Sequence, residues 1–145
     1  MQTITPFLWF NGQAEEAAKF STLIFKNSKI TSVSPMSATF ELAGQKFIAL
    51  NGGPQFQFNE AISFFVSCET QREIDHFWEK LSAGGSKSRC GWLKDKFGVS
   101  WQVVPRILGN LLNDDDDEKS NRVMQAMLKM SKLDIKKLKA AAKRK

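Results

Sequence analysis

The chain has 145 residues and a formal net charge of +6 at pH 7, with twelve Phe, four Trp and no Tyr. This length suits one domain with a substantial core, and no run of about 18 apolar residues is present that could form a membrane-spanning helix. The N-terminus starts with strand-like sequence rather than a secretory signal, and Cys68 and Cys90 are expected as free thiols in a reducing cytoplasm rather than as a disulfide.

The positive charge is concentrated near the C-terminus. Residues 119–145 contain ten basic side chains and one acidic side chain, whereas the five residues 114–118 are all acidic. A basic tail can attract nucleic acid in a salt-dependent way, but neither interleaved aromatic residues nor a groove-binding motif accompanies this one. We therefore expect a solvated helix end, with nucleic-acid contact as the least favoured alternative.

The first part of the chain predicts one strand, one helix and three more strands. Residues 3–10 are aromatic and alternate imperfectly, as in a strand that is buried on both faces. After a turn at Asn11-Gly12, the apolar residues Ala17, Phe20 and Ile24 recur at helical spacing. Three strands are then predicted, at Lys29–Val33, Ala38–Leu42 and Lys46–Asn51.

The same βαβββ order repeats after an irregular link at residues 51–59. A strand at Ala61–Cys68 precedes Thr70-Gln-Arg-Glu73, which has the pattern of a capping box at the start of a helix. One face of that helix carries four apolar residues, Ile74, Phe77, Trp78 and Leu81. A short strand near Ser86–Arg89 and a hairpin at Cys90–Pro105 complete the repeat.

The hairpin turns at Asp95-Lys-Phe-Gly98, where Asp can bond its own downstream backbone and Gly can supply a positive φ. After the turn, apolar residues alternate with the polar residues Ser100 and Gln102, so the two sets lie on opposite faces of the strand. A face that carries Ser and Gln beside apolar neighbours suits the wall of a ligand cavity.

Helices are predicted after Pro105. Residues 107–112 suggest a short docked helix, the acidic run 114–118 suits a helix N-terminus, and Met127 and Met130 continue an apolar stripe from Val123. Residues 131–134 then cap a last helix. The chain therefore predicts an α+β fold of two βαβββ modules followed by C-terminal helices, and the repeat alone also permits a ferredoxin-like sandwich.

Four stretches carry a family resemblance that decides between these folds. They are Ile4–Phe10, Leu50–Pro54, Phe58–Phe64 and the hairpin from Gly91 to Gln102. Together they resemble the PhnB-like branch of the vicinal oxygen chelate superfamily, which contains glyoxalase, bleomycin-resistance and dioxygenase proteins. This branch is often labelled "3-demethylubiquinone 3-methyltransferase domain".

The resemblance implies a half-open mixed β-barrel with outer helices. The glyoxalase-like domain would cover residues 1–112, with modules at about 1–53 and 60–105, and residues 113–145 would form a helical extension. The methyltransferase label is not evidence of methyl transfer. The methyl donor S-adenosylmethionine binds Rossmann-type enzymes at a Gly-rich turn that leads from a strand into a helix. Here Leu50–Pro54 leads to another strand.

The superfamily usually holds a divalent metal through one His or Glu from each of four strands. In this chain the corresponding positions fall on Thr5, Gln102, Ala61 or Ile62, and Leu50 or Asn51. None of these is a His or a carboxylate, and hydroxyl and amide groups bind transition metals weakly. We expect no metal and no other cofactor.

Three residues could carry chemistry. His76 lies opposite the apolar face of its helix, so we expect it to be solvated. Cys90 lies near Lys94 and Lys96, which could lower a thiol pKa, although a small buried strand residue is the more ordinary interpretation. Glu60 could act as a general base at the cavity mouth or order its loop.

A cavity lined by aromatic, amide and hydroxyl groups suits a planar or apolar small molecule. The residues expected to face it are Thr5, Phe7, Trp9, Ser63, Phe65, Ser100 and Gln102, with Asn51 and Trp92 at the rim. The aromatic side chains could instead fill the barrel themselves. Two functions stay open: a small-molecule binding protein, and an enzyme acting on a small aromatic or quinone-like substrate. In either case we expect a homodimer with no membrane contact.

Overall fold

The computed structural model describes residues 3–143 and confirms the repeated βαβββ order. Arg144 and Lys145, counted above in the basic tail, lie outside the described residues. The elements of the first module are β1 (Phe7–Phe10), α1 (Ala14–Ile24), β2 (Lys29–Val33), β3 (Ser37–Leu42) and β4 (Gln45–Asn51). Those of the second are β5 (Ser63–Cys68), α2 (Gln71–Ser82), β6 (Ser86–Lys87), β7 (Trp92–Lys94) and β8 (Ser100–Pro105). The C-terminal helices are α3 (Arg106–Leu112), α4 (Asp117–Leu128) and α5 (Ile135–Lys143).

Both modules fold into a four-stranded mixed sheet with the same strand order. The first sheet has the order β1-β4-β3-β2 and the second the order β5-β8-β7-β6. In each sheet the first strand of the module pairs in parallel with the last, and the other pairs are antiparallel. Within residues 3–143 the strands therefore form two sheets and no closed barrel. The α+β class, the paired modules and the C-terminal helices are confirmed.

The chain divides into two compact units, Met1–Asn59 and Glu60–Lys145. The C-terminal helices belong to the second unit, where they share a buried apolar cluster with β8. Its buried members are Val104, Leu108, Val123, Leu133, Leu138 and Ala142. None of the helices in residues 3–143 combines the length and the apolar character needed to cross a bilayer.

In the first unit, α1 packs against the sheet through small side chains. Ala14, Ala17 and Ala18 are buried, which lets the helix approach the strands closely. The residue before the helix, Gln13, makes no side-chain cap. Instead Asn51, at the end of β4, accepts a hydrogen bond from the amide of Ala14 at 2.8 Å and so satisfies one of the free amides of the first turn.

In the second unit, α2 begins with the predicted capping box. The amide of Glu73 donates to the Thr70 hydroxyl at 3.2 Å, and the Glu73 carboxylate accepts from the Thr70 amide at 3.1 Å. Ile74, Trp78 and Leu81 are buried on the face that meets the sheet. Burial of each such side chain contributes about 2 kcal/mol to folding, so this face fixes the helix on its sheet.

The turn between β7 and β8 is organised by the buried carboxylate of Asp95, which is 6% exposed. One of its oxygens accepts from the amides of Phe97 at 2.9 Å and Val99 at 3.0 Å, and the other accepts from the indole of Trp101 at 2.9 Å. Burial raises the pKa of Asp95, while these three hydrogen bonds oppose the rise. Gly98, with φ of +89°, closes the turn.

We predict that Asp95→Ala lowers the free energy of unfolding by about 3 kcal/mol, because it leaves three donors without an acceptor. Denaturant unfolding followed by circular dichroism measures the change. Asp115→Ala is the matched control, because Asp115 is exposed, and surface substitutions of this kind change stability by less than about 0.5 kcal/mol. Equal effects of the two substitutions would contradict the role of Asp95.

Candidate functional site

The second unit contains a groove of about 630 Å³, a volume suited to a small molecule. It is lined by Glu60, Ser86, Lys87, Ser88, Arg89, Cys90, Trp92, Leu93, Lys94 and Ser100. Four of the residues singled out from the sequence, namely Glu60, Cys90, Trp92 and Ser100, therefore meet at one place. We call this groove the pocket.

A row of polar side chains crosses all four strands of the second sheet. Ser63 pairs with Ser100, Ser100 with Lys94, and Lys94 with Ser86. Directly paired residues on neighbouring strands point to the same face of a sheet. We call these four residues the serine–lysine row, and three of them line the pocket.

A second row runs beside the first, two residues further along the strands. Phe65 pairs with Gln102, and Gln102 pairs with Trp92. We call these three residues the aromatic row. A spacing of two residues separates the rows by about 7 Å, and the amide of Gln102 joins them by donating to the Ser63 hydroxyl at 2.9 Å.

The predicted strand faces are thus observed in the second unit. Trp101 and Val103, on the opposite face of β8, are buried, and Trp101 packs on Phe64 with 5.3 Å between ring centroids. The residues expected to face a cavity (Ser63, Phe65, Ser100 and Gln102) share the other face with Trp92, which was expected at the rim. Their contact with a ligand stays a prediction.

Ser100 lies in the middle of the serine–lysine row and is 1% exposed. Among residues 3–143, the hydroxyl oxygen of Ser100 is the one buried side-chain nitrogen or oxygen atom that has no hydrogen-bond partner. A buried hydroxyl without a partner costs free energy, about 1–3 kcal/mol. Ser100 is therefore destabilising to the fold at a position that lines the pocket.

Glu60 forms an ion pair with Lys94 at the edge of the pocket. The hydrogen bond from the Lys94 ammonium, together with its positive charge, lowers the pKa of Glu60. A carboxylate with a lowered pKa is a weaker base. The geometry consequently favours the loop-ordering role of Glu60 over the general-base role.

Cys90 is not the small buried strand residue that the sequence suggested. Strand β7 begins only at Trp92, and Cys90 lies in the preceding turn with a left-handed φ of +57°. It is half-buried, and its thiol donates to the carbonyl oxygen of Met127 at 3.5 Å. Cys68, by contrast, is buried in β5, and burial raises the pKa of its thiol to about 12. Cys90 is thus the more accessible thiol.

Residues of the C-terminal extension hold the turn at Cys90 in place. The amide of Cys90 donates to the carbonyl oxygen of Met130 at 2.8 Å. The amide of Gly91 donates to the carbonyl oxygen of Ser131, also at 2.8 Å. Gly91 has φ of +84°, and a Cβ at this position would lie 2.6 Å from the carbonyl oxygen of Val103. The extension therefore forms part of the support of the pocket.

Gln71, at the start of α2, fixes the same segment from the other side. Its side-chain amide donates to the carbonyl of Leu133 at 3.0 Å and accepts from the amide of Ile135 at 2.9 Å. Leu133 is completely buried. This two-point contact ties the start of α5 to α2 and holds the segment that contacts Cys90.

The remaining predicted residues lie in the first unit, where the side chains of Trp9 and Asn51 form hydrogen bonds. The indole of Trp9 donates to the carbonyl of Gly53 at 2.9 Å and occupies the space above Gly52, where a Cβ would come within 2.3 Å of the ring. Asn51 caps α1 and also donates to the carbonyl of Pro35 at 3.1 Å. Phe7 is 58% exposed and Thr5 is half-buried. Ligand contact by these residues stays a prediction.

The side chains at the implied metal positions do not fit a divalent transition metal. The amides of Asn51 and Gln102 are engaged in hydrogen bonds within their own units, and amides are weak ligands for such metals. Among residues 3–143, no group of three or more His, Cys, Asp or Glu side chains is arranged to hold an ion. His76 is exposed on α2, as predicted.

Several lining residues were missed by sequence reasoning, which placed no ligand contact on Ser86–Arg89 or on Lys94. The signal for Lys94 was present, because counting backwards from the turn at Asp95 pairs it with Ser100. No comparable signal marked Ser86–Arg89, since β6 has only two residues and carries little pattern.

Comparisons with known proteins agree with the strand order and the repeat. A family model described as 3-demethylubiquinone-9 3-methyltransferase matches residues 2–104. A solved PhnB protein from Bacillus cereus, provisionally described as a 3-demethylubiquinone-9 3-methyltransferase, is 38% identical, with a TM-score of 0.68 over 72% of this chain and 99% of that chain. No curated protein matches the chain.

Two more distant structures share the fold. A glyoxalase/bleomycin resistance protein from Albidiferax ferrireducens is 13% identical, with a TM-score of 0.53 over 72% of this chain and 99% of its own. A glyoxylase/bleomycin resistance protein/dioxygenase domain from Frankia is 14% identical, with a TM-score of 0.52 over 72% of this chain and 92% of its own. At this identity, the likeness concerns the fold alone.

We predict that Gln71→Leu increases the rate of Cys90 alkylation by iodoacetamide. Loss of the two hydrogen bonds that Gln71 makes with Leu133 and Ile135, each contributing about 1 kcal/mol, makes local opening of the segment at least about tenfold more frequent. Peptide mass spectrometry measures the rate at each thiol, and buried Cys68 serves as the internal reference. Gln125→Leu makes the same substitution at an exposed site on α4 and should leave the rate unchanged. An unchanged rate in Gln71→Leu would contradict the positioning role of the extension.

Proposed function

The chain belongs to the 3-demethylubiquinone-9 3-methyltransferase family of PhnB-like proteins, within the glyoxalase/bleomycin resistance/dioxygenase superfamily, and on this premise we propose that it binds a small aromatic or apolar molecule without a metal. The proposed site is the pocket of the second unit. The observation that carries this proposal is the aromatic row, which lies on the pocket face beside an open groove.

The aromatic row offers a flat apolar surface. Phe65 is 59% exposed and Trp92 is half-buried at the pocket wall. Exposed aromatic side chains are unfavourable in water and typical of binding surfaces, and they stack well on planar molecules. The amide of Gln102 between them supplies a polar contact that could fix the orientation of a ligand.

Methyl transfer is not part of this proposal. A Rossmann-type site for S-adenosylmethionine lies at the end of parallel strands, where a glycine-rich turn leads into a helix. In this chain each sheet has one parallel pair of strands, and residues 52–54 follow β4 without starting a helix. The family description therefore supports the relationship but not this reaction.

The alternative is an enzyme that acts on a small quinone-like or aromatic substrate. It rests on Cys90, because a thiol at the pocket wall could act as a nucleophile. Such a role needs a base, and Glu60 is engaged with Lys94. Binding needs no titratable group and is the simpler function for this pocket.

We further propose that the protein acts as a cytoplasmic homodimer. Large apolar side chains exposed to solvent favour self-association, and those outside the proposed binding site include Leu23, Val33 and Ile62. Both cysteines are free, in agreement with a reducing compartment. Contact with nucleic acid through the basic tail is not part of the proposal.

We predict that Trp92→Leu weakens the binding of naphthol, a neutral planar probe, about threefold to tenfold, because an aromatic contact contributes about 0.5–1.5 kcal/mol. Isothermal titration calorimetry measures the affinity. Phe56→Leu is the control, since Phe56 is a 65% exposed aromatic residue of the first unit and should not affect binding. An equal loss in both variants would place the probe outside the pocket.

We also predict that a chelator leaves the melting temperature of the protein unchanged. The variants Glu60→Gln and Cys90→Ala are expected to keep the rise in melting temperature that naphthol causes. A ligand that binds the native state and not the unfolded state raises the melting temperature, and the rise grows with the logarithm of the ligand concentration above the Kd. Differential scanning fluorimetry with and without the chelator gives both results. A fall of several degrees on chelation would refute the metal-free proposal, and loss of the naphthol effect in both variants would favour the enzyme.

A further inference from the structure

We propose that the pocket recognises an anionic group, a carboxylate or a phosphate, through the serine–lysine row and Arg89. This inference rests on the proposed function, because it names the chemical class of the molecule that the same pocket binds. The ligand would then be a small aromatic acid or aryl phosphate rather than a neutral apolar molecule.

The first argument is the unpartnered hydroxyl of Ser100. This side chain is 1% exposed and its oxygen has no hydrogen-bond partner within residues 3–143. A buried hydroxyl that lacks a partner disfavours folding, whereas alanine at the same place would not. A ligand oxygen that reached the row would accept the hydrogen bond that Ser100 lacks.

The second argument is that the neighbours of Ser100 are also donors. Lys94, its partner on β7, carries an ammonium group, and beyond it Ser86 supplies a hydroxyl. On the other side, the Ser63 oxygen accepts from Gln102, so its hydroxyl proton is left to donate. A line of donors across one sheet face is complementary to the oxygens of an anion.

The third argument is the charge of the lining. Three basic residues line the pocket against one acidic residue, Glu60. Lys87 is paired with Glu79 and Lys94 with Glu60, but no ion pair within residues 3–143 engages Arg89. A guanidinium group binds carboxylate and phosphate through two parallel hydrogen bonds. Arg89 is therefore the cation most available to a ligand.

The two rows together define the shape of the ligand. The serine–lysine row would hold the anionic group, and the aromatic row, about 7 Å away along the strands, would contact a flat apolar body. Benzoate and phenyl phosphate have this arrangement at the smallest size. Glu60 forms an ion pair with Lys94 at the edge of the pocket. A bound anion would therefore compete with Glu60 for Lys94, but it would meet no such competition for Ser100 or Arg89.

The test compares three probes that share one ring: benzoate, phenyl phosphate and the neutral benzyl alcohol. Isothermal titration calorimetry on the full chain should give affinities for at least one anion about tenfold above that for benzyl alcohol, as expected for a charge-assisted contact. The preferred anion identifies the ligand as a carboxylate or a phosphate.

Two variants locate the contact. Arg89→Gln should weaken binding of the preferred anion about tenfold and leave benzyl alcohol unaffected. Ser100→Ala should also weaken anion binding without lowering the melting temperature, because the hydroxyl has no partner to lose. Arg72→Gln is the control, since Arg72 is exposed on α2 and does not line the pocket.

The outcomes separate this inference from the proposed function. Equal affinity for the three probes, or an equal loss in Arg72→Gln, would overturn anion recognition while leaving small-molecule binding intact. Unchanged anion binding in both Arg89→Gln and Ser100→Ala would also overturn it. If naphthol and all three probes fail to bind, both anion recognition and small-molecule binding in the pocket are wrong.

Discussion

The register between β7 and β8 is the constraint on which the pocket depends, and the buried carboxylate of Asp95 sets it. Three donated hydrogen bonds fix the turn, and the turn decides which residues of the two strands are paired. A shift by one residue would exchange the two faces of a strand. Ser100 would then face the helix and Trp101 the groove, and both rows of the pocket would be lost.

A second constraint comes from a part of the chain that the family model does not match. Residues 2–104 match, whereas the segment that supports Cys90 and Gly91 lies at residues 127–133. This segment is buried through Leu133 and held by Gln71 on α2. The shared fold provides the pocket face, and the extension of this particular chain supports one wall.

Much of the fold could be predicted because its signals are local. The capping box at Thr70, the turn at Asp95 and the alternation along β8 all follow from a few neighbouring residues, and each is observed. The conformation of Cys90 could not be predicted, because Cys90 is held by the hydrogen bonds that it donates to the carbonyl groups of Met127 and Met130, which are distant in the sequence. The capping contact between Asn51 and Ala14 could not be predicted for the same reason, because it joins distant parts of the sequence.

The left-handed backbone of Cys90 has an evolutionary consequence. Residues other than glycine rarely adopt this conformation without support, and here the support is the carbonyl groups of Met127 and Met130. A shorter homologue that ends after β8 would have nothing to hold a cysteine in that shape, and glycine or asparagine would serve it better. The thiol and the terminal helices are thus expected to be gained and lost together during divergence, as a single inherited trait.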